Sequence, residues 1–371
     1  MKSERKPGND DRAANALRLV RRNVRETAGY VPGIQPAPGE KLVKLNTNEN
    51  PFPPSPRVLS ALREAVDESL RLYPSTDGMG LREAAAQTYG LHPDQVLCAN
   101  GSDEALAIVM RTFLDQGDPV AWFKPSYSLY PVLAGLAGGR CEEIPIPRPA
   151  RREEAAAIPV PRPAARLFYL TTPNAPYGFQ FPTSWIARFL ESYKGIVAAD
   201  EAYVDFAPES ALPLLAEYPN LLVIRTLSKS YSLAGMRAGL VFAHPGLIAE
   251  MNKVRDSYNM GRLAQVAARE ALLDAEYFGK TRDAILSVRQ SFSKRLTGLG
   301  FTVLPSDANF VFAVAPAGTT AKVLYEKLLE RGFLVRHFGA PEISDGLRIS
   351  IGTQDDMNGL ASAVEEIVHG G

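Results

Sequence analysis

Arg225-Thr226-Leu227-Ser228-Lys229-Ser230-Tyr231-Ser232-Leu233-Ala234-Gly235-Met236-Arg237 is the stretch on which the reading of this chain turns. It opens on the end of an apolar run, Leu221–Thr226, a strand candidate rich in Leu, Val and Ile. A lysine just past a buried strand can reach an internal cavity, where desolvation lowers its pKa and favours covalent chemistry at the amine. Ser228 and Arg237 add a hydroxyl and a planar guanidinium fork, both suited to a phosphate. Taken singly, any lysine is by default solvated surface. Only the surrounding pattern overturns that.

Working outward, short apolar runs alternate with helical periodicities. Gln95–Ala99, Val120–Phe123, Arg166–Leu170, Gly195–Ala199 and Gly239–Phe242 read as further strands. Ser102–Asp115 reads as a helix, with Leu106, Val109, Met110 and Phe113 on one face; Ser184–Tyr193 reads likewise, with Trp185 and Phe189. Strands separated by helices predict an α/β large domain with a mainly parallel central sheet covered by helices. After about residue 275 the pattern becomes that of a smaller α+β domain. It has helices at about 278–298, 320–331 and 355–368 and strands at Phe310–Val314, Leu334–His337 and Leu347–Ile351. The expected division is an N-terminal arm at 1–45 joining the small domain, a large domain at 46–275 and a small C-terminal domain at 276–371. The arm includes a basic helix or extended segment over 11–28, closed by Tyr30-Val31-Pro32-Gly33. Ile144–Arg166, with its paired Ile-Pro-Ile-Pro-Arg-Pro and Ile-Pro-Val-Pro-Arg-Pro, is open to three readings: a linker, a Pro-rich ligand motif, or a surface insert. Strands on both sides favour the insert.

Bulk properties exclude several function classes. A chain of 371 residues with 41 Lys plus Arg against 41 Asp plus Glu gives no electrostatic reason to expect nucleic acid or an anionic membrane. Cys98 and Cys141 lie outside any CxxC pattern and read as free core thiols, and four His with two Cys give no metal cluster. Met1–Arg12 is charged without an apolar core, so no secretory signal is read, and Pro125–Gly139 is too short to span a bilayer. A cytoplasmic protein is expected. Asp77-Gly78-Met79-Gly80 and Gly135–Gly139 are Gly-rich but give no GxGxxG after a strand, so a nicotinamide site is poorly supported.

Ligands of open α/β sheets sit at the carboxyl ends of strands. Asn100-Gly101-Ser102-Asp103-Glu104, Asn174, Asp200 and Ser228-Lys229 all fall there. Asn100-Gly101-Ser102 joins a strand to a helix, so its N–H groups can bind an anion; an ordinary Ser-capped turn is the competing reading. Asp200 follows Ile196-Val197-Ala198-Ala199, and a buried carboxylate needs a partner. A protonated pyridine nitrogen, as in pyridoxal 5′-phosphate (PLP), is one such partner, with Tyr203 donating to the ring's phenolic oxygen; a helix-capping Asp is the alternative.

Ser228-Lys229 with Leu233-Ala234-Gly235 and Arg237 resembles the PLP-lysine signature of the class I/II aminotransferases. Leu45-Asn46-Thr47-Asn48-Glu49-Asn50-Pro51, Arg71-Leu72-Tyr73-Pro74, the stretch from Asn100 to Glu104, Asp200-Glu201-Ala202-Tyr203 and Leu347-Arg348-Ile349-Ser350-Ile351-Gly352-Thr353 resemble its histidinol-phosphate aminotransferase branch, in order, from about residue 20 onward. The resemblance implies the type I PLP-transferase fold, PLP as cofactor, and roles for named residues. Lys229 would bind PLP and shuttle the proton, Asp200 would pair with the ring nitrogen, and Tyr203 with the phenolic oxygen. Tyr127 would stack on the ring, although a core aromatic is a serious rival reading. Gly101, Ser102, Asp103, Ser228 and Arg237 would hold the phosphate. Tyr73 would reach it from a neighbouring subunit, which implies a homodimer. Arg348 would clamp the substrate's anion, with Tyr30, Asn48 and Arg336 on the substrate side; Arg336 reads equally as a solvated strand-edge charge. Relatives often carry Asn-Asn-Pro-Thr-Gly, whereas this chain has Pro173-Asn174-Ala175-Pro176-Tyr177-Gly178. Ala175 cannot make the ring-oxygen contact, so Asn174 takes it over or Tyr203 carries it alone.

The implied reaction is transamination between a small-molecule amino donor and a 2-oxo acid, with L-histidinol phosphate and 2-oxoglutarate as the pair in histidine biosynthesis. Alternatives on the same scaffold are an aromatic amino acid aminotransferase and a PLP-dependent decarboxylase of amino acid phosphates. A non-catalytic PLP-binding regulator is the rival from another class.

Overall fold

The computed structural model describes residues 15–37 and 39–370. Among these residues the strands β1 (Val43–Lys44), β2 (Val96–Ala99), β3 (Pro119–Lys124), β4 (Arg140–Pro145), β5 (Leu167–Thr171), β6 (Ile196–Asp200), β7 (Leu221–Thr226) and β8 (Gly239–Ala243) precede β9 (Thr302–Val303), β10 (Phe310–Val314), β11 (Phe333–Leu334), β12 (Arg336–His337) and β13 (Gly346–Ser350). The main sheet has seven strands in the order β2-β8-β7-β6-β5-β3-β4. β8 is antiparallel to both neighbours and the other pairings are parallel. Strands buried on both faces read as unbroken apolar runs. Phe168, Leu170, Val197, Ala199 and Val223 pack on one side of the sheet, and Leu167, Tyr169, Ala198, Leu222 and Ile224 pack on the other. This is the period-two alternation of a covered sheet.

A second core gathers Ile285, Val288, Phe292 and Leu296 of the Ala275–Gly298 helix with Val311, Ala313, Leu347, Ile349, Leu360 and Val364. It lies against an antiparallel sheet of order β12-β13-β10-β9. Leu45 also belongs to this core, and β1 pairs with β11 in parallel, so the chain around residue 45 is tied to the C-terminal unit. Asp274 caps the long helix by accepting from the Tyr277 N–H, and Thr353 with Asp356 forms a capping box at Gln354–His369.

Several expectations need correction. Arg140–Pro145 is a strand that the sequence reading missed, and Ile144 belongs to it rather than to an insert. Residues 146–166 are not a simple surface insert: Ile146, Ala155, Ile158 and Ala165 are buried in the core, and the Trp185 indole donates to Ile158 O at 2.7 Å. The alternating prolines remove ladder donors, while the isoleucines between them still bury their side chains. Cys141 is exposed on edge strand β4 and is not a core thiol; Cys98 is buried, and burial pushes its thiol up to about 12. The expected strand Leu334–His337 is two short pieces in different sheets. Within the arm, residues 15–18 and Arg22–Glu26 are helical with a break between them; the part of the expected 11–28 helix before residue 15 lies outside the described residues, as does Met1–Arg12. No helix among the described residues is long and apolar enough to cross a membrane.

Between β6 and β7 sits a buried ionic knot. Arg225 contacts Glu201 at 3.0 Å and Asp205 at 3.3 Å, donates to Ser210 Oγ at 2.8 Å, and lies over the Tyr89 ring at 4.6 Å. Removing Glu201 leaves the buried Arg225 with only the longer Asp205 contact and Ser210, at a loss of up to about 3–5 kcal/mol, the range for a buried pair broken outright. Glu201→Ala should therefore lower the urea unfolding midpoint of the apo-protein markedly; an unchanged midpoint would show that the knot is dispensable.

Candidate functional site

β2, β5, β6 and β7 run in the same direction, so their carboxyl ends meet at one edge of the main sheet. That edge carries Gly101, Asn174, Asp200 and Lys229, and antiparallel β8 starts there just after Arg237, with Gly239 opposite both Ala99 and Thr226. Close approach explains the glycines. A Cβ on Gly239 would stand 2.6 Å from Gly101 C and 2.7 Å from Ser102 N, and one on Gly101 (φ +85) would stand 2.6 Å from the Arg237 guanidinium. The Ser102–Phe113 helix has no side-chain cap, which leaves its first N–H groups facing this pocket edge. Ser228 is buried beside Thr226, whose Oγ1 lies 3.0 Å from Ser228 Oγ. Arg237, held at φ +51, uses one of its five donors on Asp103 at 3.2 Å.

Lys229 points into the interior and donates to Thr47 O at 2.9 Å. Burial, reinforced by the nearby Arg348 guanidinium, lowers its ammonium to about 8. Asp200 is buried, and desolvation raises its carboxyl to about 6 against the opposing hydrogen bond from Tyr130, which donates at 2.6 Å. Tyr203 accepts from Asn48 Nδ2 at 3.0 Å, so its own proton is free to donate elsewhere. Asn48, at φ +57, is otherwise engaged with Ser350, and its carbonyl accepts from Asn309. Tyr127 is half-buried, donates to Asp103 Oδ1 at 3.0 Å, and meets the Tyr30 ring edge-on at 6.0 Å.

Asn174 is buried with both ends of its amide in use: Nδ2 donates to Pro125 O at 3.1 Å and Oδ1 accepts from Tyr177 N at 3.2 Å. Ala175 packs with Ala308, Phe310 and Tyr203. Tyr73 does not join the cluster within one chain; it is 79% exposed and stacks on Tyr258.

Arg348 comes from β13 and donates to Asn46 O at 2.8 Å, while its Nε is buried without a partner. It stands directly opposite Arg336 of β12, and both guanidiniums lie over the Phe338 ring. Like charges in register repel, so this pair has an electrostatic demand for an anion. Tyr130, Thr171, Ser126, Asn309 and the Arg225 knot escaped the sequence reading. Tyr130 lies three positions after Tyr127 on an apolar helix, where an aromatic reads as core.

The cluster fits PLP: an amine of lowered pKa, a buried carboxylate, a donor hydroxyl on Tyr203, and a glycine-lined helix start beside Arg237 and Ser228. A cation pair for a second anion stands nearby.

Comparison with known proteins gives the same picture. The family model for aminotransferase class I and II matches residues 40–364. The histidinol-phosphate aminotransferase of Geotalea uraniireducens is 46% identical over 348 residues, covering 94% of this chain and 99% of that protein. That of Synechocystis sp. is 43% identical over 348 residues, covering 94% and 98%. Among solved structures, histidinol-phosphate aminotransferase from Sinorhizobium meliloti in complex with pyridoxal-5′-phosphate superimposes with a TM-score of 0.80 at 28% identity, covering 90% of this chain and 92% of that one. With this shared frame and the mostly parallel sheet, the fold is that of the type I PLP transferases. The chain belongs to the class I and II aminotransferases, which use PLP, and within them to the histidinol-phosphate aminotransferase branch.

Proposed function

We propose that this protein transfers the amino group of L-histidinol phosphate to 2-oxoglutarate, giving imidazole acetol phosphate and L-glutamate in histidine biosynthesis. The observation that carries the substrate reading is the opposed pair Arg336 and Arg348, both over the Phe338 ring, with Arg348 also over Phe310 and near enough to Lys229 to lower its pKa. Two cations over aromatic rings suit both a phosphate monoester and a dicarboxylate. The names of the relatives above support histidinol phosphate as the donor. Bound PLP supplies the carbonyl that takes up the amino group and the ring that accepts the electron pair.

The residues do the rest. Lys229 would hold the cofactor, and its amine would move the proton at the substrate carbon. Asp200 keeps the ring nitrogen protonated. Tyr203 would donate to the phenolic oxygen, since Ala175 has no side-chain donor; the Asn174 amide bonds Pro125 O and Tyr177 N, which leaves one Nδ2 proton for a second contact. Tyr127 covers one face of the ring. The backbone at Gly101, Ser102 and Asp103, with Ser228 and Arg237, binds the phosphate. Arg348 and Arg336 bind the substrate's anion, with Tyr30 closing the pocket and Asn48 orienting Tyr203. The exposed Tyr73 serves the neighbouring subunit of a homodimer, with the β1 segment and residues 276–370 forming the small domain and 46–275 the large one; the Arg22–Glu26 helix instead meets the Leu129–Ala137 helix of the large unit, Asn23 Nδ2 donating to Gly135 O and Leu136 O. The protein works in the cytoplasm.

The direct test compares donors with 2-oxoglutarate as acceptor: histidinol phosphate should give the highest kcat/KM, and preference for phenylalanine would replace this reading with an aromatic aminotransferase. Arg348→Ala should raise KM for both partners about ten- to a hundredfold, the loss of a charged hydrogen bond worth ~1.5–3 kcal/mol. An unchanged KM for histidinol phosphate would remove Arg348 from phosphate binding. The lowered Lys229 pKa has its own signature. Its amine reacts as the free base, so reloading of the apo-protein with PLP should accelerate as pH rises and level off above about 8. A rate still climbing at about pH 10, the range of an ordinary lysine, would contradict the burial of this amine.

A further inference from the structure

Behind Asp200 lies a chain of hydroxyls outside the roles assigned above. Tyr130, fully buried on the Leu129–Ala137 helix, lies 2.6 Å from Asp200 Oδ2 and 2.7 Å from Thr171 Oγ1, and Thr171 lies 2.8 Å from Ser126 Oγ. The direction of the chain is set by chemistry. An ionised carboxylate only accepts, so Tyr130 donates to Asp200; the Tyr130 oxygen then accepts from Thr171, and Thr171 from Ser126. Each hydroxyl uses its one proton, and hydrogen bonds aligned head to tail strengthen one another in a low-dielectric interior. A Phe at position 130 would fill the same space between Tyr169, stacked at 4.8 Å, and Trp122 at 5.9 Å. Packing alone therefore does not call for the hydroxyl, and burying one is unfavourable unless it is bonded.

The chain also joins distant elements. Ser126 adjoins Tyr127, Thr171 ends β5, and Asp200 ends β6. Asp200 Oδ2 is thereby fixed, while Oδ1 keeps only a long 3.3 Å contact from Ala202 N. The charged groups facing Asp200 are adverse to its charge: Asp103 at the head of the Ser102–Phe113 helix and Glu201 next in the chain; Tyr203 on the same loop and Tyr169 on β5 are phenols that burial keeps protonated. The Tyr130 bond is the largest effect opposing desolvation there.

We propose that Tyr130 is a positioning residue: at the head of the Ser126–Thr171–Tyr130 chain it fixes Oδ2 of Asp200 and keeps the carboxylate ionised, so that Oδ1 is left for the ring nitrogen of PLP. This rests on the reading of Asp200 as the ring nitrogen's partner.

The experiment measures the dissociation constant of PLP for the apo-protein as a function of pH, in wild type, Tyr130→Phe, Thr171→Val, Thr171→Ser and Asp200→Asn. Affinity should fall on the acid side in two steps, near pH 8 as the Lys229 amine is protonated and near pH 6 as Asp200 takes up a proton; the break that reports Asp200 is the lower one. Loss of the Tyr130 donor raises the carboxyl further, so in Tyr130→Phe that break should move to higher pH and affinity at neutral pH should fall roughly tenfold. Thr171→Val should move the break the same way by less, and Thr171→Ser should restore it. A purely structural role would lower the melting temperature and leave the break where it is. Breaks in Tyr130→Phe and Thr171→Val that coincide with wild type would overturn the proposal, whatever happens to stability. If Tyr130→Phe does not fold, the two Thr171 variants decide. Asp200→Asn separates the two levels. Wild-type affinity and an intact break in Asp200→Asn would sink the Asp200 reading itself, whereas a lost break there with an unshifted Tyr130→Phe would sink only the role of Tyr130.

Discussion

Burial of the Asp200 carboxylate at the end of β6 is the constraint around which the site is organised. Removing a charge from water is unfavourable unless hydrogen bonds or an opposite charge replace the solvent. Here the protein supplies a hydroxyl from Tyr130 and a distant backbone N–H, and desolvation still raises the carboxyl to about 6. A carboxylate left under-compensated in this way has a strong preference for a cationic partner. The neighbouring knot shows the contrast. Glu201, one residue on, is matched by Arg225, Ser210 and the Ala211 N–H within the protein. Adjacent acidic residues therefore differ: Glu201 is compensated within the protein and ties β6 to β7, and Asp200 is left with an unmet demand for a cation.

The same economy of space governs the anion end of the site. Gly239 and Gly101 lie so close that a side chain on either would strike backbone or Arg237. This closeness brings the start of the Ser102–Phe113 helix, Ser228 and Arg237 to one place. Antiparallel β8 makes it possible, because its first residue lies at the carboxyl edge of the parallel strands. A parallel strand in that position would have put Arg237 at the opposite edge.

Much of this was legible in the sequence where the signal was local. Lys229 with Ser228 and Arg237, the Gly101 turn and Asp200 at a strand end each sit within a short motif whose chemistry is self-contained. What escaped depended on partners far along the chain. Tyr130 bonds Asp200 across seventy positions, and nothing at position 130 separates that hydroxyl from an ordinary core aromatic. Arg225 and Glu201 meet only because β6 and β7 are neighbours. Arg140–Pro145 was missed because an edge strand is half-solvated and its charged residues break the apolar pattern. The 146–166 segment was misread because proline argues against strands without arguing against burial. Its Arg148 reaches Asp345 at 2.8 Å and Arg152 reaches Asp307 at 2.6 Å, so a stretch that looks like a loose insert ties the main sheet to the C-terminal unit.

That tie matters because the two charged halves of the site come from different units and act on each other. Lys229 belongs to the main sheet; Arg348 and Arg336 belong to the small one. The Arg348 guanidinium is among the causes that hold the Lys229 ammonium down to about 8, and its own pKa is lowered by burial. The segment carrying Asn46, Thr47 and Asn48 runs between them: Asn46 O accepts from Arg348, Thr47 O from Lys229, and Asn48 donates to Tyr203. Any anion that neutralises Arg348 also relieves Lys229 of its repulsion. The amine is then a weaker proton donor and a stronger base when the anionic end of a substrate is in place than when the pocket holds water. Arg348 and Lys229 are thus coupled electrostatically across the two units, on top of the burial that is the larger cause of the lowered Lys229 pKa.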